Sequence, residues 1–326
     1  MQAVIFDFPG EPEVLKLGEF KKPLPANNEL LVKVEAAGIN RADTLQRRGK
    51  YPPPKGASQI LGLEIAGTVA EIGNNVSKWN VGDKVFGLIP GGGYAEFAVI
   101  NENMAMKIPD NLSFIDAAAI PEVFLTAYQS LFWSGKIEEG QSVLIHAGGS
   151  GVGTAAIQLA KEIGAHVIIT ASKEKHKICS ELGAEKTIDY KNTPFKEEVL
   201  KHTQNEGVDI IIDFIAGPYF KDNIDCLKID GKLIILASLS GGKVEEFDLR
   251  KVLSKRLSII GSTLRSRSLD YQIKLTNEFS KSALEKFITG KLKPVIDKVF
   301  NLSNASEAHR YMEENKNTGK IILEIK

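Results

Sequence analysis

The chain has 326 residues, enough for two domains that each bury a core, and its composition, 43% apolar and 25% charged, is that of an ordinary globular protein. With 41 basic and 41 acidic side chains the formal net charge is zero, so the overall balance favours neither nucleic acid nor an anionic membrane surface. Two cysteines, Cys179 and Cys226, are too few for a disulfide framework or a metal cluster, no apolar run approaches the roughly 18 residues of a membrane helix, and residues 1–8 lack a signal-peptide pattern; the expectation is a cytoplasmic protein.

Up to about Leu112 the chain reads as short strands. Segment 30–35 alternates apolar and charged residues through Val32, Lys33, Val34 and Glu35, as a half-buried strand does, and 65–72 repeats the pattern across Gly67. Glycine turns at 81–85 and at 91–93 separate further short strands, which predicts a compact barrel-like domain. Residues 40–48 read as a short polar helix. Three consecutive prolines, Pro52, Pro53 and Pro54, make 50–54 a stiff loop, because they cannot enter a ladder. Ser113 and Asp116 have the spacing of a capping box for a helix ending at Pro121.

From 122 the period changes. Val123, Leu125, Ala127, Tyr128 and Leu131 recur at helical spacing, and segment 143–165 then reads as strand, tight turn and helix. Its turn holds Gly148, Ser150, Gly151 and Gly153. Such a glycine-rich turn brings a helix N-terminus, with its unpaired N–H groups, against a pyrophosphate. Ser150 stands where the common G-x-G-x-x-G pattern has its second glycine, so this is a variant of that device; a plain glycine turn is the bland alternative. A second strand at 167–170 and a second helix at 173–182, closed by Gly183, complete a βαβ unit. Apolar strands at 187–188, 208–214, 232–237 and 257–263 continue the alternation, which predicts a doubly wound parallel sheet. After about Ser266 come a long helix (269–289), a strand (295–300), a helix (305–315) and a last strand (320–325), expected to return to the first domain. The expected boundaries are 1–121, 122–265 and 266–326, in an α/β protein.

Several motifs together carry a resemblance: Ala-Gly-Ile-Asn-Arg-Ala-Asp at 37–43, Leu-Gly-Leu-Glu-Ile-Ala-Gly at 61–67, Val-Gly-Asp-Lys-Val at 81–85, Ala-Ala-Ile-Pro at 118–121, Leu-Thr-Ala at 125–127 and Ala-Gly-Gly-Ser-Gly-Val-Gly at 147–153. Over essentially its whole length the chain resembles the zinc-free quinone oxidoreductase branch of the medium-chain dehydrogenase/reductase superfamily. Within the branch, 41–43, 49–51, 264–267 and 315–320 are most similar to the tumour-suppressor-inducible subgroup. The resemblance implies a GroES-like β-rich catalytic domain, a Rossmann nucleotide domain, and NADPH-dependent reduction of a quinone or another small electrophilic acceptor. The residues point the same way on metal. Where zinc-dependent relatives carry a ligating cysteine and histidine, this chain has Asn40 and Leu63; the relatives' four-cysteine lobe is missing; and the five histidines are scattered and read mostly as surface or turn residues. No metal is expected.

The resemblance also implies roles. Tyr51 would face the nicotinamide and hold the acceptor oxygen with its phenol, and Asn40 would supply a fixed amide; the alternatives are that Tyr51 packs on the proline loop and that Asn40 caps a helix. Thr126, Gly148, Ser150, Gly151, Val152 and Gly153 would meet the phosphates and ribose, with Tyr190 near the adenosine end and Asn317 either near the cofactor or capping the turn before Lys320. Residues 237–241 would form one wall of the crevice. No acid stands at the end of strand 167–170, where NAD-binding proteins usually carry one; Ser172 and Lys175 would instead bind a 2′-phosphate, with Lys173 as the alternative to Lys175. Apolar strand 257–263 at a sheet edge predicts a homodimer. Two rival readings are a reductase of activated carbon–carbon double bonds, and a dinucleotide-binding protein used as an RNA-binding or structural module. Zero net charge counts against the second.

Overall fold

The computed structural model describes residues 1–326 and divides into two compact units, Met1–Leu125 with Arg265–Lys326, and Thr126–Leu264. In the first unit β1 (Gln2–Ile5) and β2 (Lys16–Glu19) form an antiparallel pair. The long strand β3 (Glu29–Ile39) is followed by helix α1 (Arg41–Arg47) and strands β4 (Glu64–Ile72), β5 (Lys84–Leu88), β6 (Phe97–Asn101) and β7 (Ala105–Lys107). β3 is central because nearly all of it is apolar: Leu30, Leu31, Val32, Val34, Ala36, Ala37 and Ile39 are buried while Lys33 points to solvent. It pairs antiparallel with both β4 and β6. Helix α2 (Phe114–Ala118) begins at the expected capping box, with Ser113 Oγ accepting from Asp116 N and Asp116 Oδ2 accepting from Ser113 N, both at 3.1 Å. Helix α3 (Pro121–Tyr128) then carries the chain onward into a π-helical turn, Gln129–Ser134.

The second unit alternates strand and helix: β8 (Ser142–Ile145), α4 (Gly151–Glu162), β9 (His166–Ala171), α5 (His176–Leu182), β10 (Lys186–Asp189), α6 (Phe195–His202), β11 (Val208–Asp213), α7 (Phe220–Cys226), β12 (Leu227–Ile235), α8 (Arg250–Ser254) and β13 (Ser258–Gly261). All six strands are parallel, in the order β10-β9-β8-β11-β12-β13. The order reverses between β8 and β11, the switch point beside which such sheets bind nucleotides at the carboxyl ends of their strands. Val143, Leu144, Ile145 and Ile210, Ile211, Ile212 are buried, so these two strands are covered on both faces, as their unbroken apolar runs predict. Strand β12 starts five residues before the expected 232. It is irregular there, with Asp230 in the left-handed region and a register shift against β11, which hides its alternation in the sequence.

After Leu264 the chain returns to the first unit as α9 (Leu269–Ile288), β14 (Ile296–Asn301), α10 (Ala305–Glu313) and β15 (Lys320–Glu324). Leu275, Phe279, Ala283 and Phe287 line one buried face of α9 at spacings of four, and Phe287 meets Phe124 edge-on at 4.9 Å between ring centres. β15 pairs antiparallel with β3, setting Ile321 opposite Ile39 and so bringing Lys320 to the end of β3. No helix is long and apolar enough to cross a membrane.

Candidate active site

Each unit carries one set of groups. In the second unit the turn between β8 and α4 is built for close backbone approach. Ser150 caps α4, its Oγ accepting from Gly153 N at 3.0 Å, while Ala147 takes a left-handed φ of 51°. A Cβ on Gly153 would lie 2.4 Å from the carbonyl oxygen of Ala147, and one on Gly148 would lie 2.7 Å from Ile169 Cβ, so neither position has room for a side chain. Gly151 and Val152 sit partly exposed in the first turn of α4, where backbone N–H groups are free to meet an anion.

Of the other residues singled out in this unit, Ser172 and Tyr190 follow the ends of strands and Thr126 lies on α3. Ser172 follows β9 and opens a short turn, Lys173–Lys175, its carbonyl accepting from Lys175 N at 2.9 Å. Lys175 folds back across the glycine turn: a Cβ on Gly149 would meet its Cδ at 2.6 Å. Lys173 is exposed. Tyr190 follows β10 and is 46% exposed. Thr126 Oγ1 is enclosed with no hydrogen-bond partner. Gly217, Lys221, Ser240 and Gly242 border an open cleft of about 610 Å³. These groups fit a dinucleotide: a closely approachable glycine turn, a helix N-terminus, an orphaned hydroxyl and a lysine above the turn.

A polar network under the strand ends was not foreseen. His146 opens the turn after β8, as expected, but is fully buried rather than at the surface; it accepts or donates at Nδ1 with Thr170 Oγ1 (3.0 Å) and at Nε2 with Asn223 Oδ1 (2.8 Å). Asn223 Nδ2 in turn donates to Asp213 Oδ2 (3.1 Å), which fixes its carbonyl oxygen toward His146. Nε2 is therefore the donor, and the neutral ring accepts from Thr170. Burial lowers the His146 pKa, consistent with that neutral ring. The network ties β8, β9 and β11 at their carboxyl ends. Its signal in the sequence was a histidine directly following the apolar run Val143–Ile145.

In the first unit the hub is Glu64, on β4 and 0% exposed. Its Oε1 accepts from Lys320 Nζ (2.6 Å) and Asn40 Nδ2 (2.8 Å), and its Oε2 from Glu122 N (2.8 Å). Lys320 Nζ also donates to Ile39 O and to Asn40 Oδ1, both at 2.7 Å. Asn40 stands at the N-cap of α1, but both ends of its amide are taken by this network; the cap contact comes from Asp43 Oδ2, which accepts from Asn40 N at 2.8 Å. Asn317 donates from Nδ2 to Gly319 O at 2.7 Å, bracing the turn before Lys320. Tyr51 is half-buried under the guanidinium of Arg265, 5.4 Å from its ring centre. Arg265 is anchored by Nε and Nη2 to Pro90 O (2.9 and 2.6 Å), while its buried Nη1 has no partner.

Behind α1 runs a directional chain. Arg47 Nη1 donates to His309 Nδ1 (3.2 Å), so the neutral ring carries its proton on Nε2, which donates to Tyr94 OH (3.1 Å); Tyr94 donates to Asp43 Oδ2 (3.2 Å). All four residues are 0% exposed. Burial, with Arg47's charge adding, pushes His309 down to about 3, and burial lifts Asp43 to about 6 against the backbone hydrogen bonds from Asn40 and Gly62. His309, buried within α10, corrects the expectation of surface or turn histidines; His166 and His202 are exposed and His176 half-buried.

A glycine-turn nucleotide unit joined to a β-rich unit with a buried polar site defines a two-unit dinucleotide-dependent oxidoreductase. The family model of the alcohol dehydrogenase GroES-like domain matches residues 26–110, and that of the zinc-binding dehydrogenases matches 151–284. The chain is 33% identical to the human quinone oxidoreductase over 328 residues, covering 99% of this chain and 97% of that protein. Among solved structures, it is similar to the Escherichia coli quinone oxidoreductase complexed with NADPH (29% identity, TM-score 0.90, 99% and 100% of the two chains) and to the CurK enoyl reductase (30% identity, TM-score 0.88, 100% and 99%). The chain belongs to the medium-chain dehydrogenase/reductase superfamily.

Proposed function

We propose that this oxidoreductase transfers reducing equivalents from NADPH to a quinone without a metal. The observation that carries the reading is the polar set around Tyr51 and Arg265, which offers hydrogen-bond donors to an acceptor oxygen but no metal-ligand set. Leu63 is a buried hydrocarbon and the Asn40 amide is already engaged at both ends. The relatives named quinone oxidoreductase, one solved with NADPH, support the substrate and cofactor classes. When bound, the nicotinamide supplies the hydride. The chain's own part is to hold the phosphates at 148–153, with Thr126 and Tyr190 beside the remainder of the dinucleotide, and to orient the acceptor oxygen with Tyr51. Asn40 acts as a positioning residue, because Lys320 and Glu64 lock its amide. Asn317 braces the same corner.

The test is NADPH oxidation followed at its absorbance band against ortho-quinones, para-quinones, enones and aldehydes, with metal analysis of the same preparation. Turnover with quinones in zinc-free protein supports the proposal; turnover with enones alone moves the protein to the second reading, which its likeness to the CurK enoyl reductase favours. The substitution Tyr51→Phe is expected to lower quinone kcat/KM roughly threefold to tenfold, the worth of one neutral hydrogen bond of about 0.5 to 1.5 kcal/mol, and to leave the NADPH Kd unchanged. An unaltered kcat/KM assigns Tyr51 to packing.

Preference for NADPH over NADH rests on Lys175 lying across the glycine turn and on Ser172, with no acid, at the end of β9. A contact with a charged group is worth about 1.5 to 3 kcal/mol, so Lys175→Ala is expected to weaken NADPH by roughly tenfold to a hundredfold and NADH hardly at all, with Lys173→Ala close to wild type. Equal wild-type affinity for the two cofactors refutes the preference. Homodimer formation is part of the same proposal: β13 pairs only with β12, and its free edge carries Ile259, 40% exposed. Two such edges can pair about a twofold axis, and a monomer by light scattering at micromolar concentration rules this out.

A further inference from the structure

Glu122, in the first turn of α3, has no assigned role. Its backbone N–H is spent on Glu64, yet its own Oε2 is enclosed and has no hydrogen-bond partner. A carboxyl oxygen buried without a partner is costly when charged and tolerable when the group carries a proton. The surroundings weigh in the same direction. Burial is the largest influence, the neighbouring Glu64 carboxylate the next and Asp43 a lesser one; Lys320 and Arg265 oppose them, and Glu122 stands at about 8, neutral at physiological pH. The same neighbourhood holds Tyr51, whose phenol is raised by burial and by Glu122 and lowered by Arg265, and Arg265, whose buried Nη1 is a second orphan. A neutral carboxylic acid, a phenol and an unpaired guanidinium N–H are all donors. Together they suit an oxygen that becomes negative, not one that must be deprotonated.

We propose that Glu122 is the proton donor of the reaction and that Arg265 Nη1 steadies the oxygen it protonates. This rests on the oxidoreductase reading above. In that step a hydride from the reduced nicotinamide forms the new bond on the acceptor and its electron pair moves to the acceptor oxygen. The Glu122 O–H bond breaks, its proton goes to that oxygen, and the carboxylate left behind is reprotonated from solvent. One hydride and one proton convert quinone to hydroquinone, or an enone through its enolate to the enol, which tautomerises in water to the saturated ketone.

The experiment is the pH dependence of kcat, from pH 6 to 9.5, for wild type, Glu122→Gln and Glu122→Asp with NADPH, a para-quinone and an enone. For wild type, kcat is expected to fall above about pH 8 as the donor ionises. Glu122→Gln is expected to lose that alkaline limb and to lose at least tenfold in kcat, more with the enone, whose enolate is the stronger base, while its NADPH Kd by fluorescence stays within twofold. Glu122→Asp should retain an alkaline limb, displaced along the pH axis. Full turnover with an unchanged alkaline limb in Glu122→Gln overturns the assignment while leaving the oxidoreductase reading intact. Because a variant that folds poorly reads as inactive, the wild-type carbonyl-stretch infrared band of a protonated carboxyl is followed as well: its presence at pH 7 and loss by pH 9.5 supports the proposal, and its absence at pH 7 overturns it. A wild type that oxidises NADPH with no acceptor of either class defeats the oxidoreductase reading, and the donor role with it.

Discussion

Replacing Lys320 by methionine is expected to destabilise the first unit by about 3 to 5 kcal/mol, the cost of leaving a buried charge without its partner. The side chains of Lys320 and Glu64 are 4% and 0% exposed and their charged atoms are 2.6 Å apart. Methionine matches the stem but ends the hydrogen bonds to Ile39 O, Asn40 Oδ1 and Glu64 Oε1 together. The double variant Glu64→Gln with Lys320→Met is expected to lie closer to wild type than Lys320→Met alone, because it removes both charges. Urea unfolding followed by Trp79 fluorescence in a Trp133→Phe background reads this unit. Equal stability of wild type and Lys320→Met shows that the pair is solvated in solution and defeats the buried-network account.

The second large effect is on acid stability. Substituting His309 by glutamine is expected to cost about 1 to 3 kcal/mol at pH 7, since the contacts from Arg47 and to Tyr94 are re-made imperfectly. The difference from wild type should then shrink on acidification. Folded His309 is held at about 3 against an ordinary 6.5, so between those values the unfolded chain binds a proton that the folded chain refuses. The stability attached to this neutral imidazole is full above about pH 6.5 and is lost as pH falls toward 3, at about 1.4 kcal/mol per unit. Asp43 works in the opposite sense. Raised from 3.8 to about 6, it contributes stability that is full below its ordinary value and lost as pH rises through 6, but both proteins keep it. Comparing the two at pH 7 and pH 4.5 isolates the histidine, and the gap is expected to narrow by about 2 to 3 kcal/mol. A gap independent of pH shows that folded His309 takes up a proton as readily as the unfolded chain does and breaks the donor order from Arg47 to Asp43.

By itself the sequence determined the nucleotide unit, because its determinants are local. The apolar run before the glycines, the Ser150 cap, the helical spacing from Val152 to Ile163 and the left-handed Gly183 that ends α5 each act within a few residues, and the parallel sheet follows from repeating that unit. That the position directly after β9 holds Ser172 and not an acid was equally visible, but the position of Lys175 over Gly149 was not, since Lys173 stands on the same short turn and only the packed backbone separates them. The tertiary structure alone decided the buried polar site of the first unit. Glu64 and Lys320 are 256 residues apart and Arg47 and His309 are 262 apart, and they meet because β15 adds to β3 and α10 packs near α1. In the sequence Lys320, Glu64 and Glu122 are ordinary charged residues, any of which water would satisfy. Burial removes that water, and each charge must then find a partner or keep its proton; which of the two happens depends on neighbours that only the folded chain supplies.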